Sequence, residues 1–211
     1  MGKVLESLLK PLVRGFLTIV YRPRVIDAEK MPRKGGLLLV ANHVSFLDPL
    51  LIYCYQKRFR RNIRFISDQA FLPKGFGTWA AKATNSILFE PGNPRSVVKM
   101  IRAVQEGLRN GDAICIFAEG GLSRTGQIKM FEPGLMTFLK KGNENVPVQP
   151  VFIGGLWGTW FGRTKPIYNK KTPQKLFQRP TIAFGDLIYQ PRDAYQIYRA
   201  VVELGVDAMD P

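Results

Sequence analysis

Histidine is almost absent from this chain of 211 residues, in which His43 is the only one. Cysteine is scarce as well, with Cys54 and Cys115 far apart in the sequence. A disulfide framework is therefore not expected, and this cysteine usage fits a reducing compartment. One histidine and two distant cysteines cannot assemble a zinc site of ordinary composition, and no clustered acidic motif indicates bound magnesium. No metal ion or cofactor is predicted.

Long apolar runs are also missing from the sequence. No stretch of about eighteen uncharged apolar residues occurs, so a conventional membrane-spanning helix is not predicted. Lys10, Pro11 and Arg14 interrupt the first residues, so a secretory signal is not expected either.

Acidic residues are few relative to basic ones. The chain has 16 Asp and Glu against 31 Lys and Arg, a net charge of +15. This excess predicts an anionic partner, which leaves nucleic acid, a phosphorylated substrate and acidic lipid open. The hydrophobic content of 45% and charged content of 22% are those of a folded domain with one core.

Short apolar runs alternate with helical patterns along most of the chain. This alternation predicts an α/β fold, an open and largely parallel sheet flanked by helices. Prolines in the fifth predicted strand argue against a central position along its whole length. Strands are predicted at 37–41, 63–67, 87–89, 113–118, 146–153 and 181–184, and helices at 46–56, 94–109, 133–141 and 192–204.

The first segment has the pattern of a basic amphipathic helix. Apolar residues recur across 4–21 at helical spacing, with Lys3, Lys10 and Arg14 among them. Such a stripe serves either to dock a helix on its own domain or to hold it at a membrane interface, and the basic charge favours the membrane. We expect a membrane-interface helix at 1–24 and a catalytic domain at 25–211.

The chemistry is expected around His43, which lies just past the end of a predicted strand. Imidazole is the side chain that exchanges a proton near neutral pH, and Asp48 can hold the ring in one tautomer. Ser45 and Asp48 also fit a helix capping box, in which Asp48 satisfies backbone amides of the first turn. The two roles are compatible, because a cap keeps a carboxylate still.

A second loop follows another predicted strand. Gly120 and Gly121 let the backbone turn tightly, Arg124 offers a planar set of donors to phosphate, and Glu119 can bond a substrate hydroxyl or brace the loop. A solvated connecting loop is the alternative. Because ligands bind at the carboxyl ends of the strands in open α/β sheets, we expect this loop and His43 to share one crevice.

Taken together, the two loops resemble a known family. Asn42-His-Val-Ser-Phe-Leu-Asp-Pro49 resembles the NHxxxxD block of the 1-acylglycerol-3-phosphate O-acyltransferases, and Phe117-Ala-Glu-Gly-Gly-Leu-Ser-Arg124 is similar to their FPEGTRSR block. Val146-Pro-Val-Gln-Pro-Val151 is similar to a further, proline-containing block. The resemblance implies transfer of a fatty acyl group from acyl-CoA or acyl-ACP to the hydroxyl of a lysophospholipid, at the cytoplasmic face of an anionic membrane.

The resemblance also implies roles for residues. His43 is the general base, Asp48 orients it, and backbone amides near the helix start stabilise the oxyanion. Leu122 stands where the family usually has an arginine, and Arg95 is the expected replacement for a further missing arginine. The residues expected to bind the substrate are Asn42, Glu119, Gly120, Gly121, Ser123, Arg124 and Arg95.

Alternatives to this function remain at the level of the sequence. The variant second block is similar to that of 2-acylglycerophosphoethanolamine acyltransferases, so the acceptor is either lysophosphatidic acid or a lysophospholipid with a larger head group. More distant alternatives are a catalytically silent lipid-binding domain and a basic nucleic-acid-binding module. No nucleic-acid-binding motif is visible, and nucleic acid is not an expected partner.

Overall fold

Seven strands form the centre of the molecule. The computed structural model describes residues 11, 15, 18–59, 63–71, 81, 85–159 and 178–209. The strands are β1 (Arg24–Ile26), β2 (Leu37–Ala41), β3 (Ile63–Asp68), β4 (Ile87–Phe89), β5 (Ala113–Phe117), β6 (Val148–Gly154) and β7 (Thr181–Phe184). They form one sheet in the order β1-β7-β6-β2-β5-β3-β4.

Strand direction is uniform across most of this sheet. All neighbouring strands pair in parallel except β6 and β7, which are antiparallel. The strands from β6 to β4 in the sheet order therefore run in the same direction, and β7 with β1 runs opposite to them. The prediction of an open, largely parallel sheet is confirmed.

Within the described ranges, three long helices flank the sheet: α1 (Asp48–Phe59), α2 (Pro94–Arg109) and α3 (Ala194–Met209). The start of α2 follows the predicted chemistry, because the Asn93 side chain accepts the backbone amides of Arg95 and Ser96, and Pro94 opens the first turn. The helix predicted at 133–141 is a 3-10 helix over Pro133–Leu139. Its proline at the first position fixes the start, as expected.

The central strand β2 separates two layers of core. All five of its residues are buried. Leu37, Leu39 and Ala41 pack in a cluster with residues of α1, whereas Leu38 and Val40 pack in a cluster with residues of α2 and α3. Because successive side chains of a strand point to opposite faces, a continuous apolar run of this kind fits only a strand that is covered on both faces.

The strand β6 lies inside the sheet, between β7 and β2, although it contains Pro150. The prolines led us to expect that it would not be central along its whole length. The backbone carbonyl of Pro150 points toward β7 and accepts the Gly185 amide at 2.9 Å. The β6–β7 ladder of paired residues starts one residue later, at Val151. The missing N–H of Pro150 therefore falls at the end of that ladder and interrupts no interior bond.

The strand β1 is not among the strands predicted from the sequence, the first of which is 37–41. It is a three-residue strand at the end of the described sheet, where it pairs with β7. Most of the predicted N-terminal helix, 4–21, lies outside the described residues; within it, residues 11, 15 and 18–21 are helical. In the part of the chain that the structure describes, no helix combines the length and the apolar character needed to cross a membrane.

Candidate active site

His43 and Asp48 form a close pair just beyond the carboxyl end of β2. The Nδ1 atom of His43 lies 2.8 Å from Oδ2 of Asp48. The Asp48 side chain is completely buried, with 0% of its surface exposed, whereas the imidazole is partly exposed. The pair therefore combines a carboxylate held away from solvent with a ring that a substrate can reach.

The other partners of Asp48 establish which tautomer of His43 is present. Oδ2 of Asp48 also accepts the backbone amides of Val44 at 2.8 Å and Ser45 at 2.9 Å. An ionised carboxylate only accepts hydrogen bonds, so Nδ1 of His43 carries the proton in the neutral ring. The unprotonated nitrogen of the neutral imidazole is then Nε2, as a general base requires.

The capping interpretation of this segment is met in part, since the Asp48 amide bonds the Ser45 carbonyl and not its hydroxyl. The bond from the Ser45 amide to Asp48 is one half of a capping box, and the Ser45 hydroxyl accepts the Leu47 amide at 3.1 Å. The start of α1 thus fixes the carboxylate that orients His43. The amides of Val44, Ser45 and Leu47 are all engaged in this way, so they are not free to stabilise an oxyanion.

Phe117, the last residue of β5, supports the imidazole from one side. Its ring stacks on that of His43 with centroids 4.1 Å apart and an angle of 21° between the planes. Phe65 stacks on Phe117 in turn, at 6.5 Å. This stack restricts rotation of the imidazole out of the plane in which it meets Asp48.

The second loop holds the backbone of His43 at both ends. The His43 amide donates to Oε1 of Glu119 at 2.8 Å, and the His43 carbonyl accepts the Ser123 amide, also at 2.8 Å. These bonds connect the loop after β2 to the loop after the neighbouring strand β5. The expectation that the two loops share one crevice agrees with this geometry.

Glu119 is a buried carboxylate with only 4% of its surface exposed. Burial raises the pKa of Glu119 above its ordinary value, and the bonds from the amides of His43 and Lys129 oppose that rise. Oε2 accepts the Lys129 amide at 3.1 Å, while the Lys129 ammonium donates to the Glu119 carbonyl at 3.2 Å. Both carboxylate oxygens of Glu119 therefore accept backbone amides, those of His43 and Lys129. This geometry favours the role of bracing the loop over that of bonding a substrate hydroxyl.

Asn42 connects the site to β6. Its amide nitrogen donates to the Ile153 carbonyl at 2.8 Å, and its amide oxygen accepts the Ile153 N–H at 2.7 Å. The side chain is buried and continues the pairing of β2 with β6 beyond the last backbone pair. Asn42, predicted to bind the substrate, is thus placed where it positions the neighbouring His43.

The remaining predicted residues of the second loop shape its turn. Gly120 and Gly121 have φ angles of 66° and 156°, where residues with a side chain are strained. The buried Ser123 hydroxyl donates to the Gln127 carbonyl at 2.8 Å and accepts the Gly126 amide at 3.0 Å. The hydroxyl is therefore occupied in closing the loop.

The two predicted phosphate-binding arginines lie at different places along the sheet. Arg124 is exposed and follows Ser123 directly, so it lies in the loop that contacts His43. Arg95 is exposed in the first turn of α2, which follows β4, and β4 is separated from β5 by β3. Two strand spacings put Arg95 about 10 Å further along the same edge of the sheet. Their contacts with a substrate stay predictions.

Three contributors to this site were not singled out from the sequence as functional residues: Phe117, Lys129 and Ile153. Phe117 lies in the quoted motif, but its contact with His43 depends on the neighbouring position of β2 and β5. Ile153 contributes through its backbone N–H and carbonyl, and Lys129 through its backbone amide as well as its ammonium. The sequence carries no signal for such backbone contacts. Among the described residues, no three His, Cys, Asp or Glu side chains cluster as a metal site would require.

Comparison with known proteins shows the family of this chain. The model of the acyltransferase family matches residues 22–154, which include both loops. A probable 1-acyl-sn-glycerol-3-phosphate acyltransferase of Mycoplasma pneumoniae is 30% identical over 139 residues, 64% of this chain and 50% of the relative. The chloroplastic LPAT1 of Arabidopsis thaliana, also named as a 1-acyl-sn-glycerol-3-phosphate acyltransferase, is 27% identical over 64% of this chain and 36% of its own length.

The fold has a counterpart among solved structures. The crystal structure of the 1-acyl-sn-glycerophosphate (LPA) acyltransferase PlsC from Thermotoga maritima superposes with a TM-score of 0.68 and 20% identity, over 100% of this chain and 82% of that one. The chain spans half or less of the length of the two curated relatives. Because the family match covers both loops and most of the sheet, the chain belongs to the acyltransferase family, as the two motifs predicted.

Proposed function

We propose that this chain transfers a fatty acyl group from an acyl thioester, acyl-CoA or acyl-ACP, to the free hydroxyl of 1-acyl-glycerol-3-phosphate, giving phosphatidic acid. One observation carries the proposal: Oδ2 of Asp48 accepts three hydrogen bonds, from Nδ1 of His43 and from the amides of the next two residues. Because Nδ1 holds the proton, Nε2 of His43 is the basic nitrogen. The names of the relatives support the acceptor.

Nε2 of His43 can act as the general base of the reaction. Nε2 of His43 takes the proton of the acceptor hydroxyl as the oxygen attacks the thioester carbonyl, and Asp48 stabilises the charged imidazole. The tetrahedral intermediate collapses as the C–S bond breaks, and the leaving thiolate receives the proton from His43. The products are the ester and the free thiol. No acyl-enzyme forms, in keeping with the Ser123 hydroxyl being engaged in its loop.

A lysophospholipid with a larger head group, such as 2-acylglycerophosphoethanolamine, is the second candidate acceptor. Leu122 replaces a family arginine, and its side chain is buried in the core. Arg124 is then an exposed cation of this loop next to the site. The nearby Lys129 is exposed too, but its ammonium donates to the Glu119 carbonyl. A loop with one arginine fewer suits a phosphodiester, which carries one negative charge, as well as it suits a phosphomonoester.

The lipid interface is part of the same proposal. Phe46, between His43 and Asp48, is 51% exposed, and Trp157, shortly after β6, is 42% exposed. Exposed aromatic side chains next to a site for a lipid favour contact with the headgroup region of a membrane. We place the enzyme peripherally at the cytoplasmic face of an anionic membrane, with no metal ion or cofactor in the reaction.

Acyl transfer from labelled acyl-CoA and from acyl-ACP to lysophosphatidic acid and lysophosphatidylethanolamine tests the proposal. We expect transfer by the wild type and a loss of about 10²- to 10⁴-fold in kcat for His43→Ala. Circular dichroism establishes that the variant is folded. Absence of transfer from both donors to both acceptors, in a wild type that binds liposomes, would reject the enzymatic function in favour of a lipid-binding domain.

A further inference from the structure

A shallow groove of about 430 Å³ runs along the outer side of α2. Of the residues that the structure describes, five line it, all among the first nine residues of the helix: Pro94, Arg95, Val98, Lys99 and Arg102. None of them has a part in the contacts around His43. The groove is an open depression on the surface of α2 and lies outside the contacts that fix His43, although it includes Arg95, one of the residues predicted to bind the substrate.

The groove has a row of unpaired positive charge. Arg95, Lys99 and Arg102 are exposed and lie four and three residues apart, so they share one face of α2. In the described part of the chain, none of the three forms a salt bridge. Like charges at these spacings repel each other, and a bound anion would relieve that repulsion. The row extends over about 10 Å of helix axis.

The groove begins at the edge of the sheet that carries the active site. α2 follows the carboxyl end of β4, and His43 follows the carboxyl end of β2. In the sheet order, β5 and β3 lie between these strands, so three strand spacings, about 14 Å, separate their ends. The groove is further from His43 than this, because α2 packs on the face of the sheet opposite to the cluster against which Phe117 packs. A ligand in the groove therefore needs an extended arm to bring a reacting group to His43.

We propose that this groove binds the phosphate groups of an acyl-coenzyme A donor. The inference rests on the proposed function and names the donor for that site. Coenzyme A carries several phosphates at one end and its thioester at the other, joined by the long pantetheine arm. Arg95 and Arg102 offer planar forks and Lys99 a point charge to those phosphates. Val98, 48% exposed, and Pro94 provide apolar surface between the charges.

The test compares two donors that differ only in the phosphate-bearing end. Palmitoyl-CoA and S-palmitoyl-pantetheine, which lacks the nucleotide, are supplied to the full-length wild type and to Lys99→Gln/Arg102→Gln. This double variant leaves Arg95, a candidate for acceptor binding, in place. We expect the KM for palmitoyl-CoA to rise about 3- to 30-fold with kcat unchanged, as for two exposed charge contacts. The KM for S-palmitoyl-pantetheine should not change.

Arg33→Gln/Lys34→Gln is the matched control. Both side chains are exposed and precede β2, so they lie at the opposite edge of the sheet. The control removes the same net charge and should leave both KM values as in the wild type. An equal loss in the two double variants, or an unchanged KM for palmitoyl-CoA in Lys99→Gln/Arg102→Gln, would overturn the proposal. So would a rise in KM confined to an acyl-ACP donor, since the face would then dock a carrier protein.

A binding measurement separates this inference from the proposed activity. Calorimetric titration of coenzyme A itself into the wild type, His43→Ala and Lys99→Gln/Arg102→Gln requires no turnover. We expect equal affinity in the first two proteins and weaker affinity in the third. If the wild type transfers no acyl group yet the three proteins show these relative affinities, the groove is a coenzyme A site and the proposed function fails. If transfer occurs and coenzyme A binds all three proteins equally, the groove assignment alone fails.

Discussion

The carboxylate of Glu119 accepts the backbone N–H of His43 at 2.8 Å, and Ser123, four residues after Glu119, donates its own amide to the carbonyl of His43. The second loop thereby holds both polar backbone groups of the predicted base. Two loops that are distant in sequence form one rigid unit, because they follow neighbouring parallel strands. The position of His43 therefore depends on residues that need not touch the substrate.

Asp48→Asn tests the charge of the orienting group. Oδ1 of Asp48 is buried without a hydrogen-bond partner among the described residues, so an amide nitrogen can replace it while the other oxygen keeps its three bonds. We expect a folded protein whose kcat falls about 10²- to 10⁴-fold, since the imidazolium loses its counter-charge. Steady-state kinetics with a thermal melt check this. An unchanged kcat would show that Asp48 acts as a helix cap alone.

Glu119→Gln tests the brace on His43. A glutamine has one accepting oxygen where Glu119 accepts the amides of both His43 and Lys129. One of these amides then faces an N–H₂ group, and we expect kcat to fall about tenfold or more as His43 shifts. Glu132→Gln, which changes an exposed carboxylate beside the same loop, is the control. Equal kinetics in the two variants would contradict the bracing role.

The same variant should change how stability depends on pH. Burial raises the pKa of Glu119, so between the ordinary value of about 4.3 and its higher value in the fold, the folded state binds a proton that the unfolded state has lost. The free energy of unfolding therefore decreases through that window as pH rises. Urea titrations should show this decrease in the wild type relative to Glu119→Gln. Parallel curves for the two proteins would refute it.

Asn42→Ala should destabilise the fold as well as the site. The substitution leaves the buried N–H and carbonyl of Ile153 without partners, for an expected loss of about 2–4 kcal/mol in the free energy of unfolding. Asn145→Ala, at an exposed asparagine that contacts Gln190, should change it by less than about 0.5 kcal/mol. Chemical denaturation measures both values. A loss for Asn42→Ala as small as that of the control would mean that this link to β6 is dispensable.

Cys115 should be unreactive in the folded protein. Burial, with a smaller effect of the Asp48 charge, raises the pKa of its thiol well above the ordinary range. In a Cys54→Ser variant, which leaves Cys115 as the only thiol, we expect iodoacetamide to label the unfolded chain and not the native one. Mass spectrometry before and after denaturation gives the result. Rapid labelling of the native variant would indicate that the strand β5 opens to solvent.

The strands that could be predicted are those whose own residues form a local apolar pattern. Unbroken apolar runs gave the bounds of β2, β4 and β7 as the structure has them. The edge strand β1 has no such run: it contains Arg24 and is a strand only because β7 pairs with it. Its partner lies far along the chain, and no local pattern reports that contact. The antiparallel direction of β7 was unpredicted for the same reason.

The sequence motifs predicted which two loops form the site. The spacing of His43 and Asp48 and the strand before each loop placed the two loops together. The bonds that fix them were beyond the sequence, because they join side chains to backbone groups elsewhere, as in Asn42 with Ile153 and Glu119 with Lys129. The type of each side chain shows what it can bond, and only the fold shows which partner is near.

The pairing of β1 with β7 constrains the order in which the protein can assemble during synthesis. Arg179 reaches the Arg22 carbonyl across 157 residues, and Arg24 pairs with Thr181. When β2 to β6 have left the ribosome, their core can form, but β1 still lacks β7, the strand with which it pairs in the described sheet. Until β7 emerges, the apolar packing of Val20, Tyr21 and Val25 is what holds this end of the described chain to the nascent domain. Protease sensitivity of β1 in ribosome-bound chains, lost once residue 184 has emerged, would show this order directly.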